Sequence, residues 1–365
     1  ISGLVLTAAV MLAARILWTF SAAAEAVPAE RERHHRTARR ALDVITGPMW
    51  DSQHGGVFWA LHADGTVADD RKQTYAQAFT VYALARWARV AQDDAALERA
   101  LWLAAALDAS ARDREYGGYV EALARDWTPT ERTAVSELDP DVPKSMNTNL
   151  HVLEALAELL RASSSPTVAE ALETLLRTVL DSIIVTAPFA HCALYFDESW
   201  ERRSDTVSYG HDIETSWLLW DAWEALHAHG LVDADLEWRA RDASLALAEA
   251  VRTRGVASEG AVLYQGTHAG PTDHDRHWWP QAEGVVGWLN AFQLGGRSED
   301  RRAAIRAWDY IEQHVVDREH GEWFARLDAR NEPMSTGSGD LKLGPWKCPY
   351  HNARACLEVL RRVQA

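Results

Sequence analysis

The 365-residue chain is 47% hydrophobic and 25% charged, enough to bury the core of one large domain or two ordinary ones. Its formal net charge of −16, with 53 acidic residues against 37 Lys and Arg, excludes a basic face for nucleic-acid phosphates. Three cysteines, Cys192, Cys348 and Cys356, make an odd set without metal-knuckle spacing, which argues against a disulfide framework and for a reducing, cytoplasmic setting.

The first segment, "ISGLVLTAAVMLAA", imitates a signal peptide but lacks a basic flank, and Arg15 interrupts its apolar run. It is also shorter than the about 20 apolar residues that cross a bilayer, so no membrane partner is expected. Helical periodicity dominates from there on. The apolar spacing predicts helices over 3–26, 29–46, 72–91, 94–111, 146–162, 166–186, 210–229, 234–253, 277–293, 298–316 and 350–363. Charge runs such as "RERHHRTARR" (31–40) fit a solvated helix face.

Between helix pairs an Asp-x-x-x-Gly signature recurs at Asp51–Gly55, Asp113–Gly117 and Asp317–Gly321, each followed by residues that favour a short strand. A helical hairpin joined by a small β-turn is thus an internal repeat. Repeats of this size stack as an open solenoid or close into a double ring of helices, and periodicity alone does not choose between the two.

The polar residues choose the ring. Arg15 lies in the first predicted helix, Tyr75 and Gln77 in the third, Asn147 and His151 in the fifth. His211 and Glu214 lie in the seventh, Trp279 and Glu283 in the ninth, and His351 in the last. These are alternate helices, and the ones between carry ordinary amphipathic sequence. Inner helices lined with function and outer helices facing water would produce that pattern. Most of these residues fall in the first turn or two, so they are expected to converge at one end. Burying ionisable groups costs several kcal/mol unless they are paired or used, which makes "SYGHDIETSW" (208–217), opening a core-like helix, the segment to explain.

Four segments stand together: "KSMNTNLHVLEA" (144–155), "YGHDIETSW" (209–217), "WWPQAEG" (278–284) and "WKCPYHN" (346–352). With "ARILWTFSAA" (14–23) and "KQTYAQAF" (72–79), they resemble the N-acylglucosamine 2-epimerase superfamily over essentially the whole chain. "SYGHDIE" and "WKCPYHN" look most like its cellobiose 2-epimerases. The resemblance implies an all-α, (α/α)6-barrel fold of twelve helices. With eleven found here, a single barrel domain over 1–365 lacking its N-terminal helix is expected.

The resemblance also implies inversion at C2 of a reducing-end sugar through an enediolate, which calls for two acid/base groups. His211 and His351 match the family's two catalytic histidines. Glu214 would orient or polarise His211, and Arg15, Asn147 and His151 would hold O1 and O2 as charge develops there. Trp279 and Trp346 would wall the sugar, while Tyr75, Trp217 and Glu283 complete the matching positions. The implied partner is an oligosaccharide such as cellobiose or lactose, acted on by a monomer without cofactor. His211-x-x-Glu214 could also form half of a metal site, but the rest of a ligand set is not visible, so no metal is expected. The alternatives are an N-acylglucosamine 2-epimerase or aldose–ketose isomerase, a glycoside hydrolase built on Glu214 and Glu283, and a carbohydrate-binding protein without catalysis.

Overall fold

A computed structural model describes residues 7–136, 139–335, 337 and 340–364. Eleven α-helices account for most of it: α1 (Val10–Ala26), α2 (Arg31–Thr46), α3 (Thr74–Ala91), α4 (Asp94–Ser110), α5 (Met146–Ser163), α6 (Pro166–Thr178), α7 (Tyr209–Ala228), α8 (Ala234–Arg254), α9 (Trp278–Gly295), α10 (Ser298–Tyr310) and α11 (Tyr350–Gln364). Among the described residues no single helix is long and apolar enough to cross a membrane.

Alternation of burial follows the sequence pattern. Along α3 nearly every residue from Thr74 to Ala88 is buried, and α5, α7 and α9 are covered as completely through their N-terminal two-thirds. Helix α4 instead buries only Ala96, Ala100, Leu103 and Leu107, the single stripe of a helix with one face in water. Helix α10 does the same with Asp300, Ala304, Ala307 and Tyr310.

Several starts and stops have local causes. The Asp93, Ser145 and Asp233 side chains accept the Ala96, Thr148 and Leu236 amides at the heads of α4, α5 and α8. Gln92, Ser164 and Gly296 end α3, α5 and α9 in the left-handed conformation.

Three expected boundaries move. The helix predicted over 3–26 begins at Val10, because Thr7–Ala9 pair as a strand with Ala60–His62; residues 3–6 lie outside the described residues. The helix predicted over 166–186 stops at Thr178 and widens into a π-turn, Val179–Ile183, before a strand at Ile184–Val185. The one predicted to 316 likewise opens into a π-turn at Ile311–Val315.

The chain divides into two compact units. One comprises Ile1–Thr178, Tyr195–Glu201 and Ala228–Gly230; the other comprises Val179–Leu194, Arg202–His227 and Leu231–Ala365. In the first, α3 packs against α1, α4 and α5, with Trp18 stacked on Tyr82 at 5.1 Å. In the second, α9 packs against α8, α10 and α11.

Short strands lead directly into the buried helices. Lys72–Gln73 precede α3, Lys144–Ser145 precede α5, Val207–Ser208 precede α7 and Arg276–His277 precede α9. Each is paired antiparallel with another strand of its own unit, which fixes where the first helical turn sits.

The three Asp-x-x-x-Gly segments fold alike. Asp51, Asp113 and Asp317 each accept the amides two and three residues on, and each also binds a lysine: Lys72 at 3.0 Å, Lys144 at 2.7 Å, and Lys342. Gly55, Gly117 and Gly321 turn the chain at φ of 73°, 77° and 74°, a region that L side chains enter only with strain.

Candidate active site

Within the second unit, the first turns of α7, α9 and α11 bring together six of the expected residues and one unforeseen, Arg354. Glu214, Glu283 and Arg354 are each only 1% exposed. The Arg354 guanidinium binds Glu214, reaches Glu283 Oε1 at 2.7 Å, and donates to the Tyr350 hydroxyl at 2.7 Å. It also lies 4.9 Å from the centre of the Trp217 ring. Two buried carboxylates therefore share one delocalised cation, the arrangement that makes their burial tolerable.

The two oxygens of Glu283 also order two further neighbours. Its Oε2 accepts the Trp217 indole N–H at 3.0 Å, and Oε1 lies 2.7 Å from His351 Nδ1. A carboxylate accepts only, so Nδ1 carries the proton and Nε2 of neutral His351 keeps its lone pair.

His211 joins the group through Trp279. Its Nδ1 lies 2.8 Å from the Ser208 hydroxyl. Trp279 touches both imidazoles, with ring centres 4.7 Å from His211 and 5.8 Å from His351. His211 and Trp279 are half-buried, whereas His351, Glu214 and Glu283 are closed off. Tyr264 stacks on His277 at 3.9 Å and meets Trp279 edge-on at 6.4 Å, bracing the indole. Burial and the Arg326 charge lower His277 to about 4, keeping it neutral.

Ligand atoms of Glu214, Glu283 and His351 lie within 4.8 Å of one another, a spacing a metal site could use. The Arg354 cation already sits on both carboxylates, however, and His351 turns a protonated nitrogen toward them. The donor set is that of an ion-pair cluster and does not fit a metal.

In the first unit, Arg15, Tyr75 and His151 form a second buried group. Arg15 donates to the Tyr75 hydroxyl at 2.7 Å and lies 4.6 Å from the centre of the Phe79 ring. His151 packs edge-on against Tyr75 at 5.2 Å and tilted against Phe79 at 4.8 Å. Its Nδ1 bonds to Glu154 at 2.8 Å, the same carboxylate-held tautomer as in His351. Asn147 is half-buried in the first turn of α5, and its Oδ1 has no partner among the described residues. Trp346 lies in the segment before α11 and is 38% exposed.

Sequence reading missed Arg354, Glu154 and Phe79. A signal existed for the first two. His151, His211 and His351 are each followed three positions on by a charged residue, Glu154, Glu214 and Arg354, and i,i+3 residues share a helix face.

Known proteins share this arrangement of elements. A family model described as N-acylglucosamine 2-epimerase matches residues 5–355. A cellobiose 2-epimerase of Bacteroides fragilis is 38% identical over 351 residues, covering 96% of this chain and 86% of that one. Another, from Ruminococcus albus, is 35% identical over 356 residues, covering 97% and 87%. The solved structure of cellobiose 2-epimerase from Bacillus thermoamylovorans B4167 superposes with a TM-score of 0.89 at 31% identity, covering 98% of this chain and 89% of the other. The fold class is accordingly the (α/α)6 barrel.

Proposed function

The chain belongs to the N-acylglucosamine 2-epimerase family, and from that premise we propose that it inverts C2 of the reducing-end sugar of a β-1,4-linked disaccharide, interconverting glucose and mannose. Cellobiose would give glucosyl-mannose and lactose would give epilactose. The observation that carries the reading is the pair of imidazoles, His211 and His351, packed on one indole, Trp279, with His351 held by Glu283.

The chemistry runs through the open-chain aldehyde, whose carbonyl acidifies the C2 proton. One neutral imidazole removes that proton and the electron pair moves to O1, giving a cis-enediolate across C1 and C2. The other imidazole, protonated, returns a proton to the opposite face of C2. Each histidine ends in the other's starting state, and no bond but C–H is broken. His351 suits the base role in one direction because Glu283 fixes its Nδ1 proton and stabilises the imidazolium that forms. Three cysteines without metal-knuckle spacing, Cys192, Cys348 and Cys356, are in keeping with a cytoplasmic setting, and a monomer suffices because the chain supplies every proposed group.

Incubation with cellobiose in D2O tests the reading. Deuterium at C2 together with glucosyl-mannose is the expected outcome. Ketose formation would mean proton return to C1, released glucose would mean hydrolysis, and saccharide binding without exchange would reduce the protein to a binder. Each of those three results would overturn the proposal.

A further inference from the structure

Helices α3, α5 and α9 each carry an amide side chain one turn from the N-terminus, and each amide grips both main-chain polar groups of one residue. Gln77 accepts the Val57 N–H at 2.9 Å and donates to the Val57 carbonyl at 2.8 Å. Asn149 does the same to Tyr119 at 2.8 and 3.1 Å, and Gln281 to Val262 at 2.8 and 2.8 Å. The gripped residue always sits in a short antiparallel bridge: Trp50 with Val57, Arg112 with Tyr119, Val256 with Val262.

Helix α7 puts a different residue in that position. Asp212 Oδ1 accepts the Cys192 N–H at 2.7 Å, and Cys192 pairs with Ile184 across short antiparallel strands. The register is the same in all four. Phe58 N bonds to Met49 O beside the first bridge, and Ala193 N bonds to Ile183 O beside the Cys192 pair. In such a non-hydrogen-bonded pair the N–H and C=O point away from the partner strand, here toward the helix. The three amides answer with one acceptor and one donor. An ionised Asp212 offers only acceptors, so it could not give the Cys192 carbonyl the donor that the amides give theirs.

We propose that Asp212 is a positioning residue that works as a neutral carboxylic acid, its Oδ1 accepting the Cys192 N–H and its proton bridging to the Cys192 carbonyl, so that the turn of α7 bearing His211 is locked in place. Asp212 is 1% exposed, and burial pushes its carboxyl up to about 7. The titratable groups facing it are the Cys192 thiol from the strand, which is raised by burial and also bonds to the carboxyl, partly offsetting the effect of burial on Asp212, and Tyr209 on its own helix, which Arg254 in turn influences. Neither is a cation, and no Lys or Arg among the described residues bonds to the carboxyl. The lock matters for His211 because the turn is tightly seated: a Cβ on Gly210 would come within 2.5 Å of the Trp279 ring. A small shift of this turn therefore moves His211 relative to the indole it shares with His351.

The functional half of this proposal rests on His211 as an acid/base group; the protonation half does not, and the experiment separates them. Wild type and Asp212→Asn are compared for folding equilibrium and for epimerisation from pH 4 to 9. With the folded carboxyl raised, its stabilisation is complete below the unfolded value of about 4 and lost as pH rises to about 7. Over that window the wild-type folding constant should fall by up to about tenfold per pH unit more than that of the variant, then run parallel to it. The variant, an isostere carrying the amide of the other three helices, should keep kcat and KM within about threefold at pH 6.5. It should also lose less kcat than wild type above pH 7, where wild-type Asp212 ionises and frees the turn; KM should move little.

Parallel stability profiles throughout would overturn the protonation, and unequal stability profiles with identical pH–kcat profiles would overturn the positioning of His211. A protein that never exchanges C2 hydrogen refutes the function while leaving the stability comparison intact. Infrared spectra of wild type labelled with 13C-aspartate read the protonation even if the variant does not fold. A carboxylic-acid carbonyl band that titrates near pH 7 is expected, and its absence at pH 5.5 would overturn the proposal.

Discussion

Arg354 shows how one residue makes a costly site affordable. Glu214 and Glu283 cannot stay ionised out of water without it, and Glu283 must be ionised to hold His351. Replacing Arg354 by Met keeps the volume and removes the cation. The expected loss is about 3–5 kcal/mol in urea melts at pH 7, because two buried carboxylates are left uncompensated. Unpaired buried carboxyls take up protons more readily, so their folded pKa rises and the deficit should narrow as pH falls from 7 to 5. A deficit that stays constant across that range would mean water reaches the acids, and the cluster is not the closed ion pair described. Arg354 escaped the sequence reading because both of its acidic partners lie on other helices, while the acid nearest it in the chain, Glu358, pairs with Arg361 and Arg362. His351 was legible through its motif, its acidic partner only through the fold.

At the scale of elements, the legible features were those that depend on composition alone. A helix buried all round, such as "TYAQAFTVYALARWA" in α3, needs small and apolar residues at every position, whereas a one-stripe helix such as α4 does not. That contrast gave the alternation of helices. The π-turns after α6 and α10 were not legible, since apolar spacing continues through them and only the hairpin that follows forces the widening. The Asp-x-x-x-Gly repeat was visible as a turn, but the lysine each aspartate binds lies some 21 to 31 residues away. Burial of these ion pairs is graded. Asp51 and Lys72 are both 0% exposed, Lys144 is 0% against 16% for Asp113, and Lys342 is 30% against 7% for Asp317. The cost of Asp→Asn should follow that grading: about 3–5 kcal/mol at Asp51, where a sealed ammonium loses its partner, and progressively less at Asp113 and Asp317. Burial alone would raise Asp51, but Arg125 and Lys72 override it and hold the carboxyl far below its ordinary range. Its contribution is present above the unfolded value of about 4 and lost as pH falls below it, so D51N should flatten the acid limb of the stability curve. Equal losses at all three sites would show that the turns, not the ion pairs, carry the stability.

At the scale of the molecule, one repeated unit is put to several uses. A short strand, a gripped turn and the first turns of a buried helix recur through the chain, and the residues two to four positions into those helices are free to be amide clamps, acids or imidazoles. Convergence of His211, Glu214, Glu283 and His351 was legible because each falls within the first two turns of its helix; the amide and acid clamps were not, because a side chain that bonds main chain leaves no motif to notice. The two imidazoles come from α7 and α11 and meet on Trp279, so their roles follow from which face of the sugar each approaches. Replacing either by Asn keeps some hydrogen bonding but removes proton transfer, and epimerisation should fall by about 10²–10⁴-fold. The two variants should fail differently in D2O. Losing the base for one epimer blocks deprotonation of that epimer, while the surviving imidazole still exchanges the C2 proton of the other. His211→Asn should thus label only one of cellobiose and glucosyl-mannose, and His351→Asn only the other. With both imidazoles present the rate should follow a bell-shaped pH profile, since one must be neutral while its partner is protonated. Wild-type rates in both single variants, or label entering both sugars at equal rates in each, would remove the two histidines from the mechanism and leave Glu214 and Glu283 as the groups to test.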